Sequence, residues 1–141
     1  MTAASAALVL DTSVVLAWCF ADEVTAETER IAEQVRDEGA IVPALWHWEV
    51  ANALLQAERR RRISAADASS NLRFLSGLPI LTDDADRERT WQTTLALARS
   101  ERLSVYDASY LELAIRLGAP LASLDADLVA AARRSGIRAL P

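Results

Sequence analysis

Short apolar runs recur along this chain, and each gives way to polar residues and then to a longer stretch with helical spacing. The runs are Ala7 to Leu10, Ala40 to Pro43, Leu78 to Leu81, Leu121 to Leu124 and Ile137 to Leu140. Apolar runs this short, bounded by turn signals, suit strands buried on both faces. Helical stretches lie between them: Thr12 to Phe20, Val24 to Glu38, Ala44 to Arg62, Ser64 to Ser76, a segment from Thr82–Asp86 to about Arg99, Ser104 to Gly118, and Asp127 to Ser135. Gly39 and Gly118 stand where helices should stop. Alternation of this kind predicts an α/β fold, a mostly parallel sheet covered by helices. There is no internal repeat and no linker-like segment, so residues 1–141 read as a single domain with a frayed tail over Thr2 to Ala6.

Composition removes several chemistries. A single cysteine, Cys19, excludes an internal disulfide and a cysteine-built zinc site, and a single histidine, His47, excludes a multi-histidine centre. All fifteen basic residues are arginines. Without lysine there is no P-loop and no Schiff-base enzyme. No apolar run approaches the ~20 residues of a membrane span, and Met1 to Leu10 lacks the basic start of a secretory signal. A soluble, cytoplasmic protein with no membrane partner is expected.

Ligands of parallel α/β sheets sit beyond the carboxyl ends of the strands. Two acids occupy such positions, Asp11 after Leu8-Val9-Leu10 and Asp125 after Leu121-Ala122-Ser123-Leu124. Each also has a plain structural explanation as a helix N-cap. Asp107, three residues after Ser104, has the spacing of a capping box. Glu49 lies in a helix that is apolar almost all round, on one stripe with Asn52 and Gln56. That stripe faces either solvent or a polar cleft, and in the second case Asn52 supports Glu49. Asp83, Asp84 and Asp86 read as helix-start acids, and Asp127 as a first-turn acid favoured by the helix dipole.

Taken together, the order of these segments resembles the PIN-domain nucleases, and within them the VapC-type toxins of VapBC toxin–antitoxin pairs. The segments are Val9-Leu10-Asp11-Thr12-Ser13-Val14-Val15, Glu49-Val50-Ala51-Asn52-Ala53-Leu54, Val105-Tyr106-Asp107-Ala108-Ser109-Tyr110, and Leu121-Ala122-Ser123-Leu124-Asp125-Ala126-Asp127-Leu128. The resemblance extends from Leu8 to Leu140. It implies a three-layer α/β/α PIN-like fold and a site in which Asp11, Glu49, Asp107 and Asp125 hold Mg²⁺ or Mn²⁺. Crowded carboxylates do not all stay ionised without a cation, and oxygen-only ligands suit those metals over zinc. Asp11 is the expected central ligand, Ser13 a supporting hydroxyl or phosphate contact, and Asp127 an alternative to Asp125. His47, two residues from Glu49, faces elsewhere on its helix.

The implied activity is metal-dependent endoribonuclease hydrolysis, leaving a 5′-phosphate and a free 3′-hydroxyl. The implied partners are RNA, a cognate VapB-type antitoxin and a second copy of the chain in a homodimer. A net charge of −5 runs against RNA binding. The arginines are clustered, however. Arg59, Arg60, Arg61 and Arg62 are candidates for the RNA backbone or, more simply, a solvated helix end; Arg133, Arg134 and Arg138 form a second group. Trp18, Trp46, Trp48 and Trp91 suit the core, with Trp18 and Trp46 also placed to anchor an antitoxin segment. A haloacid-dehalogenase-like phosphatase needs an acid where Ser13 stands, and it and a receiver domain both need lysine. A PIN nuclease of RNA processing and a non-catalytic PIN-like module are the remaining alternatives.

Overall fold

The computed structural model describes residues 7–84 and 86–141; the Thr2 to Ala6 segment lies outside the described residues. The first strand, β1 (Leu8–Leu10), is wholly buried and forms the centre of the molecule. It is followed by α1 (Thr12–Cys19), α2 (Ala26–Glu38), β2 (Ala40–Pro43), α3 (Leu45–Arg59), α4 (Ala65–Ser76) and β3 (Ile80–Asp83). A short helix α5 (Arg87–Arg89), a π-helical turn (Thr90–Thr94) and α6 (Leu95–Glu101) come next. The chain ends with α7 (Val105–Leu117), β4 (Leu121–Ala122), α8 (Ala126–Arg134) and β5 (Ala139–Leu140).

The sheet order is β3-β2-β1-β4-β5, and every pairing is parallel. Helices flank the sheet, which gives the expected three-layer α/β/α arrangement. The core joins β1, β2 and β4 to the inward faces of α1, α2, α3, α7 and α8 through Val14, Val15, Val35, Leu54, Leu111, Leu113 and Leu128. Among the described residues no helix is long and apolar enough to cross a membrane. Cys19 is half-buried, and burial pushes its thiol up to about 11.

Helix starts follow local capping chemistry. Thr25 with Thr28 and Ser64 with Asp67 form capping boxes at α2 and α4, and Ser104 Oγ accepts the Asp107 N–H at α7. Three expectations shift. β3 begins at Ile80 rather than Leu78, because its register is set by Ala40 opposite Ile80 and Pro43 opposite Asp83. Pro79 has no N–H and contributes only its carbonyl, which accepts from Ala40 N at 3.1 Å. As an edge strand β3 is also largely exposed, which is why Thr82 and Asp83 belong to it. The single helix expected from Thr82–Asp86 to Arg99 is instead α5, the π-helical turn and α6, with Asp86 as the cap that accepts Arg89 N–H. Finally, β4 and β5 are only two residues each, because after Ala122 the chain turns to carry Ser123 toward Asp11.

Gly39 closes α2 and opens β2 at φ +85° and ψ 171°, a region essentially reserved for glycine. A Cβ there would also lie 3.2 Å from the Pro79 carbonyl oxygen. Gly39→Ala should therefore cost about 2–3 kcal/mol in urea unfolding; an unchanged midpoint would contradict the close packing of this corner.

Candidate active site

Parallel strands all finish on one edge of the sheet, and β1 and β4 are neighbours there. Asp11 leaves β1 with its N–H on Ala122 O at 2.9 Å. It stands at the N-cap position of α1, yet its side chain makes no capping hydrogen bond. Its Oδ2 instead accepts from Ser13 Oγ at 2.6 Å and Ser123 Oγ at 2.8 Å. Ser13 Oγ in turn accepts Leu124 N–H at 2.9 Å, and Ser123 Oγ accepts Asp125 N–H at 3.0 Å. Two small hydroxyls thus stitch the turn after β1 to the turn after β4. Asp11 is 6% exposed. Burial raises its pKa, the two seryl hydrogen bonds oppose that shift, and the charge of Asp125 adds to it.

Glu49 comes from α3 and is fixed by two other buried hydroxyls. Its Oε1 accepts from Tyr110 Oη and from Thr12 Oγ1, the latter at 3.0 Å, and the two hydroxyls are themselves 3.0 Å apart. Tyr110 is fully buried. Burial, reinforced by its hydrogen bond to Glu49, holds the phenol far above its usual pKa, so it stays a donor. Asn52, expected to support Glu49, is exposed and makes no side-chain hydrogen bond among the described residues. Glu49 turns inward to Thr12 and Tyr110, and Asn52 is left at the surface. Thr12, Tyr110 and Ser123 had no assigned role in the sequence reading. The signal was present: a hydroxyl next to Asp11, one three residues after Asp107, and one two residues before Asp125.

Asp107 lies in the first turn of α7. Burial raises its pKa first, and then the charges of Asp125, Asp11 and Glu49, tempered by the Ser104 hydroxyl. The four acids therefore share one electrostatic neighbourhood. Asp125 reaches it while capping α8, with Oδ1 accepting Leu128 N–H at 3.0 Å. Asp127 is exposed in the following turn and is not among the charges that act on Asp11 or Asp107.

No basic side chain neutralises this group: the ion pairs among the described residues involve Arg62, Arg89, Arg116 and Arg134 with other acids. Among the described residues, however, no three acidic, histidine or cysteine side chains stand close enough together to hold a metal ion as they are placed here. Glu49 Oε2 and Asp125 Oδ2 accept no hydrogen bond among the described residues. An uncompensated, oxygen-only donor set of this kind suits a hard divalent cation.

The outlying candidates sort by their contacts. His47 faces away, with Nε2 2.8 Å from Thr82 Oγ1. Arg62 is committed to Asp22 at 2.8 Å and Glu23 at 2.6 Å, with its guanidinium 3.9 Å from the Phe20 ring centre. It is thus a brace between α3 and the turn after α1 rather than a free phosphate contact. Arg59, Arg60 and Arg61 are exposed and form no ion pair among the described residues. They lie ten or more residues beyond Glu49 on α3, about 15 Å along the helix. Trp46 is buried, so it is not a surface anchor, whereas Trp48 and Trp91, expected in the core, are exposed. Trp18 donates to Thr28 O at 2.7 Å and meets Phe74 edge-on.

Comparison with known proteins bears on the family and the fold. Residues 8–134 match the PIN domain family model. Ribonuclease VapC3 of Pyrobaculum aerophilum is 30% identical over 121 residues, covering 86% of this chain and 91% of that protein. The crystal structure of PAE2754, also from Pyrobaculum aerophilum, superposes with a TM-score of 0.70 at 24% identity, over 92% of this chain and 87% of that one.

The raised pKa of Asp107, from burial first and then from the neighbouring carboxylates, has a measurable sign. A carboxyl whose pKa is raised on folding costs nothing below its unfolded value and costs progressively more as pH rises through the folded one. Asp107→Asn should therefore melt higher than the parent in metal-free buffer at pH 7, by about 2–4 °C. The gain should shrink toward pH 4, and added Mn²⁺ should stabilise the variant less than the parent. A variant that melts lower at pH 7 would contradict the shared-charge description.

Proposed function

The chain belongs to the PIN-domain family, and on that premise we propose that it is an Mg²⁺- or Mn²⁺-dependent endoribonuclease toxin neutralised by a cognate VapB-type antitoxin. The observation that carries this reading is that Asp107 feels the charges of Asp11, Glu49 and Asp125 beyond the ends of the central strands, while none of the four is ion-paired among the described residues. The similarity to a ribonuclease over most of both chains supports RNA as the substrate.

Asp11, Glu49, Asp107 and Asp125 would hold the cation, with Asp125 favoured over Asp127 by the electrostatics of Asp11 and Asp107. When bound, Mg²⁺ or Mn²⁺ supplies Lewis acidity and neutralises charge developing on the phosphate. The protein's share is positioning. Ser13 and Ser123 fix the Asp11 carboxylate through Oδ2, and Thr12 and Tyr110 fix Glu49 through Oε1. Asp11 and Glu49 thus enter the site with their rotamers already set, so less ordering remains to be done when substrate arrives. The reaction is in-line attack by water, with cleavage of the bond from phosphorus to the 3′-oxygen. Arg59, Arg60 and Arg61 are placed to steady RNA beyond the cut phosphate, and bidentate guanidinium contacts offset the chain's overall negative charge.

The antitoxin is proposed to cover the surface of Trp18, Val24 and Phe74, where large apolar groups stay partly exposed beside α2 and α4. A homodimer and a cytoplasmic location complete the proposal by analogy with toxins of this family.

Purified protein incubated with total cellular RNA should give discrete cuts that need Mg²⁺ or Mn²⁺, stop with EDTA and fall to background in Asp11→Asn. A folded protein that binds Mn²⁺ but leaves RNA intact would refute the nuclease. Expression without the antitoxin should arrest growth, and Asp11→Asn should remove the arrest; equal toxicity of the variant would separate toxicity from the acid site.

A further inference from the structure

The strand edge that carries the four acids continues sideways over β2 and β3, and there it is hollow. A cavity of about 210 Å³ lies between the ends of those strands, the π-helical turn and the start of α7, walled chiefly by Pro43, Leu45, Thr90, Val105 and Tyr106. Neighbouring strands are about 4.8 Å apart, so the cavity sits within about 5–10 Å of the strand that ends in Asp11.

Its acidic residues are unlike those of the catalytic cluster. Asp83 is paired with Arg116 at 2.7 Å and with Arg89 at 3.6 Å, and Glu112 with Arg116 at 2.8 Å. These carboxylates are neutralised and do not call for a cation. Two of the four hydroxyls nearby are also engaged: Thr90 Oγ1 donates to Asp86 O and Ser109 Oγ to Tyr106 O. What remains is a mostly apolar hollow with few uncommitted hydrogen-bond donors. Tyr106 lines it yet is 66% exposed, so its ring stands at the mouth. It immediately precedes Asp107, which ties that mouth to the acid site by a single peptide bond. The π-helical turn that supplies Thr90 and Thr94 to the wall is a departure from regular helix of a kind that concentrates at functional sites.

We propose that this cavity is a nucleobase-binding subsite, in which a base flanking the scissile phosphate leaves its stack and packs on the Tyr106 ring. The inference rests on the nuclease reading above. A base suits the walls in size and flatness, and single-stranded RNA is gripped mainly by stacking of splayed bases on aromatic side chains. With the carboxylates and two of the four hydroxyls engaged and the walls mostly apolar, stacking contributes more to the subsite than hydrogen bonding to base edges. Tyr106 is then a positioning residue that sets which phosphate lies over the four acids.

The test uses a short oligoribonucleotide spanning a cut mapped with the parent enzyme. Kinetics are measured for the parent, Tyr106→Ala and Tyr106→Phe, on the intact strand and on strands with one abasic nucleotide at each position flanking the cut. Tyr106→Ala should raise KM about tenfold with kcat little changed, and Tyr106→Phe should restore the parent value. One abasic position should cost the parent about tenfold and cost Tyr106→Ala nothing further, since base and ring are then already uncoupled. Because Tyr106 is exposed, equal melting temperatures serve as the folding control. Parent-like KM in Tyr106→Ala, or an abasic penalty that persists undiminished in it, would overturn the subsite while leaving the nuclease intact; the first result would also fit a protein side chain as the cavity's occupant. Failure of the parent to cut any RNA would overturn both.

Discussion

Like-charge repulsion at the end of β1 organises the rest of this molecule. Four carboxylates from four separate segments are brought to one edge of a parallel sheet, and no arginine or histidine is paired with them. Such a cluster persists only if each member is fixed by something other than a counter-ion. For Asp11 and Glu49 that role falls to hydroxyls, and for Asp125 to the Leu128 N–H that it caps. Ser123, 112 residues from Asp11 in sequence, donates to it and at the same time receives the Asp125 N–H. Thr12 and Tyr110 do the same for Glu49 from opposite ends of the chain. These bonds join β1, β4, α3 and α7 at the site, so the geometry of the acids is tied to the packing of the core beneath them. A hydrogen bond to a charged group is also worth more than a neutral one, about 1.5–3 kcal/mol.

The same logic separates this region from the ion-pair network beside it. Asp83, Glu112, Arg89 and Arg116 balance one another and tie β3 to α5 and α7. One region is charged and uncompensated, the other compensated and lined by apolar walls. Lying side by side on one strand edge, they have the chemistry to take the two parts of a nucleotide: the phosphate with its metal, and the base.

Much of the architecture was legible because it rests on local rules. Buried parallel strands read as apolar runs, and Ser64 and Ser104 stood where their helices open. Errors arose where a distant partner decides the outcome. The start of β3 depends on its register with β2, and the broken helix after Asp86 depends on packing against α7. Asp11 and Asp125 stood out in the sequence by their positions after strands, whereas their grouping with Glu49 and Asp107 came from a motif order that resembles the PIN-domain nucleases. Their supports did not stand out, because Tyr110 and Ser123 become hydrogen-bond donors to acids only once the sheet brings β1, α3, α7 and β4 together. Asn52 misled for the converse reason: helical spacing gives the stripe but not which of its members turns inward. Arg62 looked like a phosphate ligand until the turn after α1 placed Asp22 and Glu23 against it.

The central claim is that the four acids form one cation site. Anomalous diffraction from crystals soaked in Mn²⁺ tests it most directly. The account predicts density within about 2.0–2.5 Å of carboxylate oxygens of both Asp11 and Asp107, with Glu49 and Asp125 drawn toward it. Mn²⁺ found only on outlying acids such as Asp84 or Asp127, with the four carboxylates unmoved, would contradict it.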